Sequence, residues 1–243
     1  MKKSLFYIIL LLLVKANSIN AQLPAPFNAI LPSIQDSIAK KVLASPNAYR
    51  LQLVYTQIDR DQNGIPRFTN HTLYADAENY FNPASMVKMP LAFLAMEKLY
   101  ELNLPGVNKY TTMQFDSNYQ RQVAMYADSS AENKKPSIAH FIKRAFLISE
   151  NDPYNRMYQF VGQGPTNQKL IAKGYTSTKI TRQFMGYTED QNRHTNGIRF
   201  FNGDGKLLYH QQPAYNKDSF LFPNPVLIGD KHINRNDELV NGP

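Results

Sequence analysis

The sequence predicts an α/β protein, because strand-like segments lie on both sides of a central helical region. Residues 49–58 and 67–74 alternate between apolar and polar positions and are rich in β-forming residues. Residues 198–211 show a second pair of β-rich arms around a turn. Between these patterns, apolar residues recur at helical spacing. We therefore expect a sheet-containing part, residues 22–84, a mainly α part, residues 85–197, and a hairpin followed by an irregular segment, residues 198–243.

The first 21 residues resemble a cleaved secretory signal peptide. Lys2 and Lys3 form a basic start, Leu5 to Val14 is an apolar run, and small or polar residues precede Ala21. The apolar run is shorter than the roughly 20 residues that a membrane-spanning helix needs. A membrane anchor is the alternative. We expect a periplasmic or secreted protein, residues 22–243, without stable membrane insertion.

Composition excludes several classes of function. The chain has 27 Lys and Arg against 19 Asp and Glu, and no block of basic residues that would indicate a nucleic-acid partner. It has no Cys, so it has no disulfide, thiolate metal site or catalytic thiol. The five His are scattered, and no nucleotide-binding glycine motif is present. We therefore expect no metal and no cofactor, while the oligomeric state is not specified by the sequence.

The first elements of the mature chain are predicted to be a surface helix, residues 33–45, and a hairpin whose turn is DRDQNG, residues 59–64. This turn also resembles the start of a calcium-binding loop. Asn70, however, stands where such a loop has a bidentate Glu, and the flanking residues favour strands rather than helices. We therefore interpret the segment as a hairpin turn.

The most informative stretch is residues 81–100, FNPASMVKMPLAFLAMEKLY. Asn82 and Pro83 favour a helix that begins near Ser85. From residue 84 to residue 96 almost every position is apolar, which predicts a helix buried on all sides, and Lys88 is the only charge in that run. Ser85 and Lys88 share one helix face, with Cβ atoms roughly 5 to 6 Å apart. Since burial disfavours an ammonium, Lys88 could serve as a neutral base that activates Ser85.

The Ser-x-x-Lys spacing alone is weak evidence for catalysis. Ser37 and Lys40 have the same spacing, but they lie among charged residues in the predicted surface helix. For Ser85 and Lys88, the structural alternative is a core helix whose lysine stem is buried while its ammonium reaches solvent. The context of the pair must decide between these interpretations.

The central region continues with polar, Gly- and Pro-broken sequence over residues 103–135, for which we expect short helices and loops. Residues 137–148 form a convincing amphipathic pattern that ends at Ser149-Glu150-Asn151. Residues 153–161 and 165–172 again favour helices. Beyond Pro213 the chain shows little periodicity, and we expect it to end without a strand or helix.

Two of these segments together resemble a known family. FNPASMVKMPLAFLAMEKL and FIKRAFLISENDPYNRMYQFVG are similar to the serine helix and the Ser-Asp-Asn loop of class A β-lactamases and related penicillin-binding peptidases. The similarity extends over about residues 49–182. It implies an antiparallel sheet flanked by helices, together with an all-α domain.

The resemblance also implies roles for four residues. Ser85 would be the acylated nucleophile and Lys88 its base, while Ser149 would relay a proton to the leaving nitrogen and Asn151 would bind the amide side chain of the substrate. That substrate would be a small-molecule β-lactam or a peptidoglycan-type peptide. The structural alternative for Ser149 and Asn151 is a helix exit followed by a cap for the next helix.

Three departures from the family pattern leave alternatives open. Glu150 replaces the usual Asp of the loop. Residues 181–200 lack the Glu-x-x-Leu-Asn pattern of the deacylating Glu, and Glu189 lies at a different spacing. No Lys-Thr-Gly follows, so we expect that the C-terminal strands of the sheet are missing from this chain, the alternative being that the resemblance fails at the C-terminal end. The alternatives are a penicillin-binding peptidase-like hydrolase with slow deacylation and a catalytically inactive envelope-binding module.

Overall fold

The computed structural model describes residues 23–76, 80–220, 231–233 and 238–241, which belong to two compact units divided after residue 79. The predicted signal peptide lies outside the described residues. Among the residues that are described, no helix is long and apolar enough to cross a membrane.

The first unit contains two short helices and a hairpin: α1 (Ala25–Ile30), a 3₁₀ turn (Leu31–Ser33), α2 (Ser37–Ala44), β1 (Leu53–Arg60) and β2 (Pro66–Leu73). Helix α2 confirms the predicted surface helix, although it is shorter. Its start is fixed by Asp36, whose carboxylate accepts a hydrogen bond from the backbone N–H of Ala39 at 2.7 Å.

The hairpin has the predicted position and turn. Strands β1 and β2 pair in antiparallel register from Leu53 opposite Leu73 to Arg60 opposite Pro66. In the turn, the Asp61 carboxylate accepts the backbone N–H groups of Asn63 and Ile65, each at 2.9 Å. Gly64 takes the positive φ of 76° that such a turn needs. Asp61 therefore stabilises a turn of the predicted kind.

The second unit holds the remaining elements. Its helical segments are a 3₁₀ turn (Ala84–Val87), α3 (Lys88–Leu102), a 3₁₀ turn (Glu132–Lys134), α4 (Ile138–Leu147), α5 (Asn151–Val161), α6 (Gln163–Ala172) and α7 (Glu189–Arg193). Its strands are β3 (Thr112–Phe115), β4 (Ile198–Phe201), β5 (Leu207–Gln211), β6 (Lys231–Ile233) and β7 (Leu239–Asn241).

Helix α3 is the centre of the core of this unit, but it is buried on one side only. Leu91, Leu94 and Ala95 are fully buried and pack with residues of α4, α5 and α6. Met89 and Phe93 are exposed, Phe93 to 65%. The prediction of burial on all sides was therefore wrong, because a uniformly apolar helix does not reveal which of its faces has a packing partner.

A three-stranded antiparallel sheet in the order β3-β4-β5 covers one part of the helical core. The β4–β5 pair confirms the predicted hairpin, with a bulge between Phe200 and Phe201. Strand β3 was missed, since short helices and loops were expected there. The mixed α/β class is thus shown, whereas a separate all-α domain stays a prediction.

The C-terminal segment also differs from the expectation. Strand β6 pairs with β7 in antiparallel register, with His232 opposite Val240. The prediction of an end without strand or helix was therefore wrong. Strands of three residues are too short to show an alternating pattern that stands out in a sequence.

Candidate active site

Ser85 and Lys88 come together at the start of the central helix. The Asn82 side-chain oxygen accepts a hydrogen bond from the N–H of Ala84 at 3.1 Å, which opens the 3₁₀ turn that contains Ser85. Helix α3 itself begins at Lys88 rather than at Ser85. The Lys88 amine nitrogen Nζ lies 3.2 Å from Ser85 Oγ. The expected nucleophile and base are therefore within hydrogen-bond distance.

Ser149 reaches the same amine from the loop between α4 and α5. Helix α4 ends at Leu147, and Ser149 follows with a left-handed φ of 53°. Its carbonyl oxygen accepts a hydrogen bond from Lys88 Nζ, and its Oγ lies 3.1 Å from that nitrogen. A left-handed residue just past a helix end is a common way to reverse the chain direction. Here the reversal directs both oxygens of Ser149 toward Lys88.

Asn151 completes the group of polar atoms around the amine. It is the first residue of α5, and its side-chain oxygen accepts a hydrogen bond from Lys88 Nζ at 2.9 Å. Glu150, between the two contact residues, accepts a hydrogen bond from Arg144 Nε at 2.6 Å. The side chain of Glu150 therefore braces the loop against the last turn of α4. All four residues predicted for the site lie together.

The environment of Lys88 makes its amine easier to deprotonate than that of a lysine in water. Only 3% of the residue is exposed, so its ammonium does not reach solvent as the structural alternative required. Burial lowers the pKa of Lys88 below the usual value for lysine, because desolvation penalises the charged form. Among the described residues, its hydrogen-bond partners are hydroxyl, carbonyl and amide oxygens, and none is a carboxylate.

The contacts of Lys88 also fit the donors and acceptors of a neutral amine. A neutral amine has two N–H donors and one lone pair. The Ser149 carbonyl and the Asn151 amide oxygen can only accept, so they take the two donors. The lone pair then remains for a hydroxyl proton, and the Oγ atoms of Ser85 and Ser149 are both within reach. The arrangement can accept a proton from either serine.

Phe184 lies over the same amine, although the sequence analysis did not single it out. Its ring centroid is 5.1 Å from Lys88 Nζ. The ring packs on Tyr154 with centroids 4.7 Å apart, and its backbone N–H donates to the Asn155 side chain at 2.8 Å. The sequence offers one indication that Phe184 belongs to the site: it lies within residues 181–200, the segment where the resemblance places the deacylating Glu.

Buried amide side chains hold the segment that carries Phe184. Gln159 Nε2 donates to Gln183 Oε1 at 2.9 Å, and the backbone N–H of Gln183 donates to Asn192 Oδ1 at 2.8 Å. Asn167 bonds both the N–H and the carbonyl oxygen of Ile180, at 2.9 and 2.8 Å. These buried hydrogen bonds tie the segment to α5, α6 and α7, and unmaking each would leave a buried polar group unsatisfied.

Glu189 is occupied elsewhere. Its carboxylate accepts a hydrogen bond from Arg193 at 2.6 Å, one turn along α7, and 61% of its side chain is exposed. Among the described residues, Glu189 is not a hydrogen-bond partner of Lys88, and from this part of the chain the ring of Phe184 lies over the amine. In the second Ser-x-x-Lys pair, Lys40 donates to Gln35 at 3.3 Å on an exposed surface.

In the described ranges, no three His, Cys, Asp or Glu side chains cluster in a way that could hold a metal.

Comparison with known proteins agrees with this geometry. The model of a family described as "Beta-lactamase enzyme family" matches residues 35–203, which include every residue of the site described above. Searches of curated proteins and of solved structures gave no significant match. Since the family match spans well over half of the sequence, the chain belongs to the β-lactamase enzyme family, within the superfamily of β-lactamase-like serine hydrolases.

Proposed function

We propose that this protein opens the amide bond of β-lactams through an acyl-enzyme on Ser85. The observation that carries the proposal is the buried Lys88 amine, which lies 3.2 Å from Ser85 Oγ and 3.1 Å from Ser149 Oγ. One amine in contact with two hydroxyls can take a proton from the first and return it through the second. Acyl transfer to a serine needs both transfers.

In the acylation step, Ser85 Oγ gives its proton to Lys88 Nζ while it attacks the lactam carbonyl carbon. A C–O bond forms, and the carbonyl oxygen becomes an oxyanion. The backbone N–H of Ser85 is a suitable oxyanion donor, because it lies at the start of a helical segment, where backbone N–H groups lack an intrahelical partner. The desolvated Lys88 is the base in this step, because burial lowers the pKa of its amine.

In the second half of acylation, the carbon–nitrogen bond of the lactam breaks. The departing nitrogen takes the proton of Ser149 Oγ, and Ser149 takes a proton from Lys88, which becomes neutral again. Asn151 holds Lys88 through its side-chain oxygen, and its side-chain NH₂ is the group that would bind the amide substituent of the substrate. Water then hydrolyses the ester on Ser85 and restores the enzyme.

The location that suits this activity is the bacterial envelope, where β-lactams meet their targets. The proposed leader, residues 1–21, supports export, and the absence of Cys causes no conflict with an oxidising compartment. Peptidoglycan-type peptides carry the same kind of amide bond, so they are the natural alternative substrates for this site.

The test is intact-protein mass spectrometry after mixing the protein with a penicillin. We expect a mass increase equal to one penicillin molecule, because ring opening retains all of its atoms. Ser85→Ala should show no increase. Ser37→Ala is the matched control, since Ser37 has the same spacing to a lysine but lies on an exposed helix; it should behave as the parent does. Absence of both adduct and turnover in the parent would favour a binding module over an enzyme.

A penicillin-binding hydrolase with slow release is the second candidate, and the contacts of Lys88 are the reason to test it. No carboxylate among the described residues touches the amine, and Glu189 is paired with Arg193. General-base assistance is typically worth about 10² to 10⁴ in rate, so its loss would leave an acyl-enzyme that persists. The lifetime of the adduct after removal of free penicillin separates the two candidates: seconds or less indicates a β-lactamase, and minutes to hours indicates a slow penicillin-binding hydrolase.

A further inference from the structure

We propose that Phe184 is a positioning residue whose ring shields the Lys88 amine from water and so keeps it in the neutral form that accepts the Ser85 proton. The inference rests on the proposed function for its catalytic meaning. Its physical content, the effect of one ring on one amine, can be measured without any substrate. The proposal is based on the position of the Phe184 ring, whose centroid lies 5.1 Å from Lys88 Nζ.

Phe184 is held in place by contacts of both its backbone and its ring. Its backbone N–H donates to Asn155 at 2.8 Å, and Asn155 is buried within α5. The ring packs on Tyr154, whose hydroxyl donates to the carbonyl oxygen of Arg182 at 2.9 Å. Phe184 itself and Arg182, two residues before it, are therefore tied to α5, the helix that also carries Asn151. A ring anchored in this way is an element of the site rather than a mobile cover.

Two opposing effects of the ring on the amine must be compared. The negative face of an aromatic ring attracts an ammonium by about 0.5 to 2 kcal/mol, which favours the charged form. Apolar cover excludes water, and desolvation of a buried amine is able to outweigh an attraction of that size. Burial lowers the pKa of Lys88, which is the direction that exclusion of water produces and that a cation–π attraction opposes. We therefore take exclusion of water as the larger of the two effects of the ring.

Other charged groups near Lys88 do not offset this effect. On the loop side, Glu150 is bonded to Arg144, and on α5 Asp152 forms an ion pair with Arg156 at 3.2 Å. Burial also raises the pKa of the Tyr154 hydroxyl, which therefore stays protonated and uncharged at neutral pH. In the segment that contains Phe184, the group that lies over the Lys88 amine is the aromatic ring. The amine thus meets apolar and neutral polar groups on each of these elements.

The experiment measures the titration of Lys88 in the full chain by NMR, with ¹³C-labelled lysine. The signal of Lys88 is assigned by its disappearance in Lys88→Met. Phe184→Leu keeps an apolar cover without an aromatic face, and Phe184→Ala removes the cover. We expect the titration midpoint to stay near that of the parent in the Leu variant. In the Ala variant it should rise, so that the neutral fraction at pH 7 falls by about tenfold, as one pH unit implies.

Two further measurements keep the test decisive. If Phe184→Ala does not fold, Phe184→Gln places a hydrated side chain of similar length at the position and should shift the midpoint in the same direction. The acidic limb of the acylation rate against pH should move with the midpoint, whereas a merely structural role would lower the rate at all pH values. A midpoint that does not change in Ala and Gln variants would overturn the proposal, and so would an equal rise in the Leu variant.

The outcomes also separate this inference from the proposed function. If the midpoints shift as expected but no variant and no parent is acylated by a penicillin, the role of Phe184 stands and the proposed substrate is wrong. If the parent is acylated at Ser85 while the midpoints are the same in all variants, the proposed function stands and the role of Phe184 is wrong.

Discussion

Lys88 Nζ lies 3.2 Å from Ser85 Oγ although the two residues belong to different helical segments, Ser85 to a 3₁₀ turn and Lys88 to the first position of α3. In a 3₁₀ turn, side chains three positions apart lie almost directly above one another, which is closer than the stagger of an α-helix allows. The tight turn therefore aligns the hydroxyl with the amine. Ser37 and Lys40, which share the spacing, lie on a regular α-helix, and the Lys40 amine donates to Gln35 instead.

Replacement of Lys88 by Met should remove the base and leave the fold intact. We expect the acylation rate to fall by about 10² to 10⁴, the usual contribution of general-base catalysis. The unfolding free energy should not decrease greatly, because a buried amine is replaced by an apolar side chain of similar length. Stopped-flow or quenched-flow acylation with a penicillin measures the rate, and Lys40→Met is the matched control. A folded Lys88→Met variant that is acylated as fast as the parent would exclude the base role.

Ser149 should be a site where Gly stabilises the protein more than Ala does. Its φ of 53° costs a residue with a Cβ atom about 1 to 2 kcal/mol, and Gly is free of this cost. Both substitutions remove the hydroxyl that contacts Lys88, so both should slow acylation to a similar extent. In urea unfolding we expect Ser149→Gly to be more stable than Ser149→Ala by about 1 kcal/mol. Equal stabilities would show that the left-handed conformation is not required at this position.

The stability of the protein should depend on the protonation of Lys98, at the far end of α3. Its amine donates to the carbonyl oxygen of Phe160 and to Gln211 Oε1, the latter at 2.7 Å. Burial lowers the pKa of Lys98 from 10.5 to about 8. Between these values the unfolded chain binds more protons than the folded one, so the unfolding free energy rises with pH through that window.

The measurement is urea unfolding of the parent and of Lys98→Met between pH 7 and pH 10. The stability of the parent relative to the variant should increase from pH 8 upward, by at most about 3 kcal/mol in total. Lys206→Met, on the exposed turn between β4 and β5, is the matched control. A parallel course for Lys98→Met would mean that the Lys98 amine titrates in the folded protein as it does in the unfolded chain.

Glu189 should contribute little to either chemistry or stability. It is exposed and paired with Arg193 within one turn of α7, and exposed pairs of this kind contribute about 0 to 1 kcal/mol. We therefore expect Glu189→Gln to change neither the acylation rate nor the lifetime of the adduct by more than about twofold, a free-energy change of under 1 kcal/mol. A large increase of the lifetime would identify Glu189 as the deacylating base and would contradict the assignment made from its contacts.

Local patterns predicted much of this structure. The hairpin of residues 53–73 follows from alternation around an Asn-Gly turn, and α4 follows from apolar residues at helical spacing. The four site residues could be predicted because the resemblance indicated both their identity and their order along the chain. In each of these cases the information lies in neighbouring residues or in a motif.

The features that could not be predicted depend on partners distant in the chain. Strand β3 has four residues, and it is a strand because β4 pairs with it more than eighty residues later. The exposed side of α3, with Phe93, could not be told from the buried side because both are apolar. Phe184 contacts Lys88 only after buried amides such as Asn155 have tied its segment to the helices. No local sequence pattern predicts a contact of this kind.

The most direct test of the account is the site of acylation. After reaction with a penicillin and rapid acid quench, proteolysis and tandem mass spectrometry should locate the added mass on Ser85, the residue whose hydroxyl contacts the buried Lys88 amine. The same experiment on Lys88→Met should give little or no modified peptide at the same reaction time. Modification of a different residue, or of Ser85 at an undiminished rate without Lys88, would contradict the account.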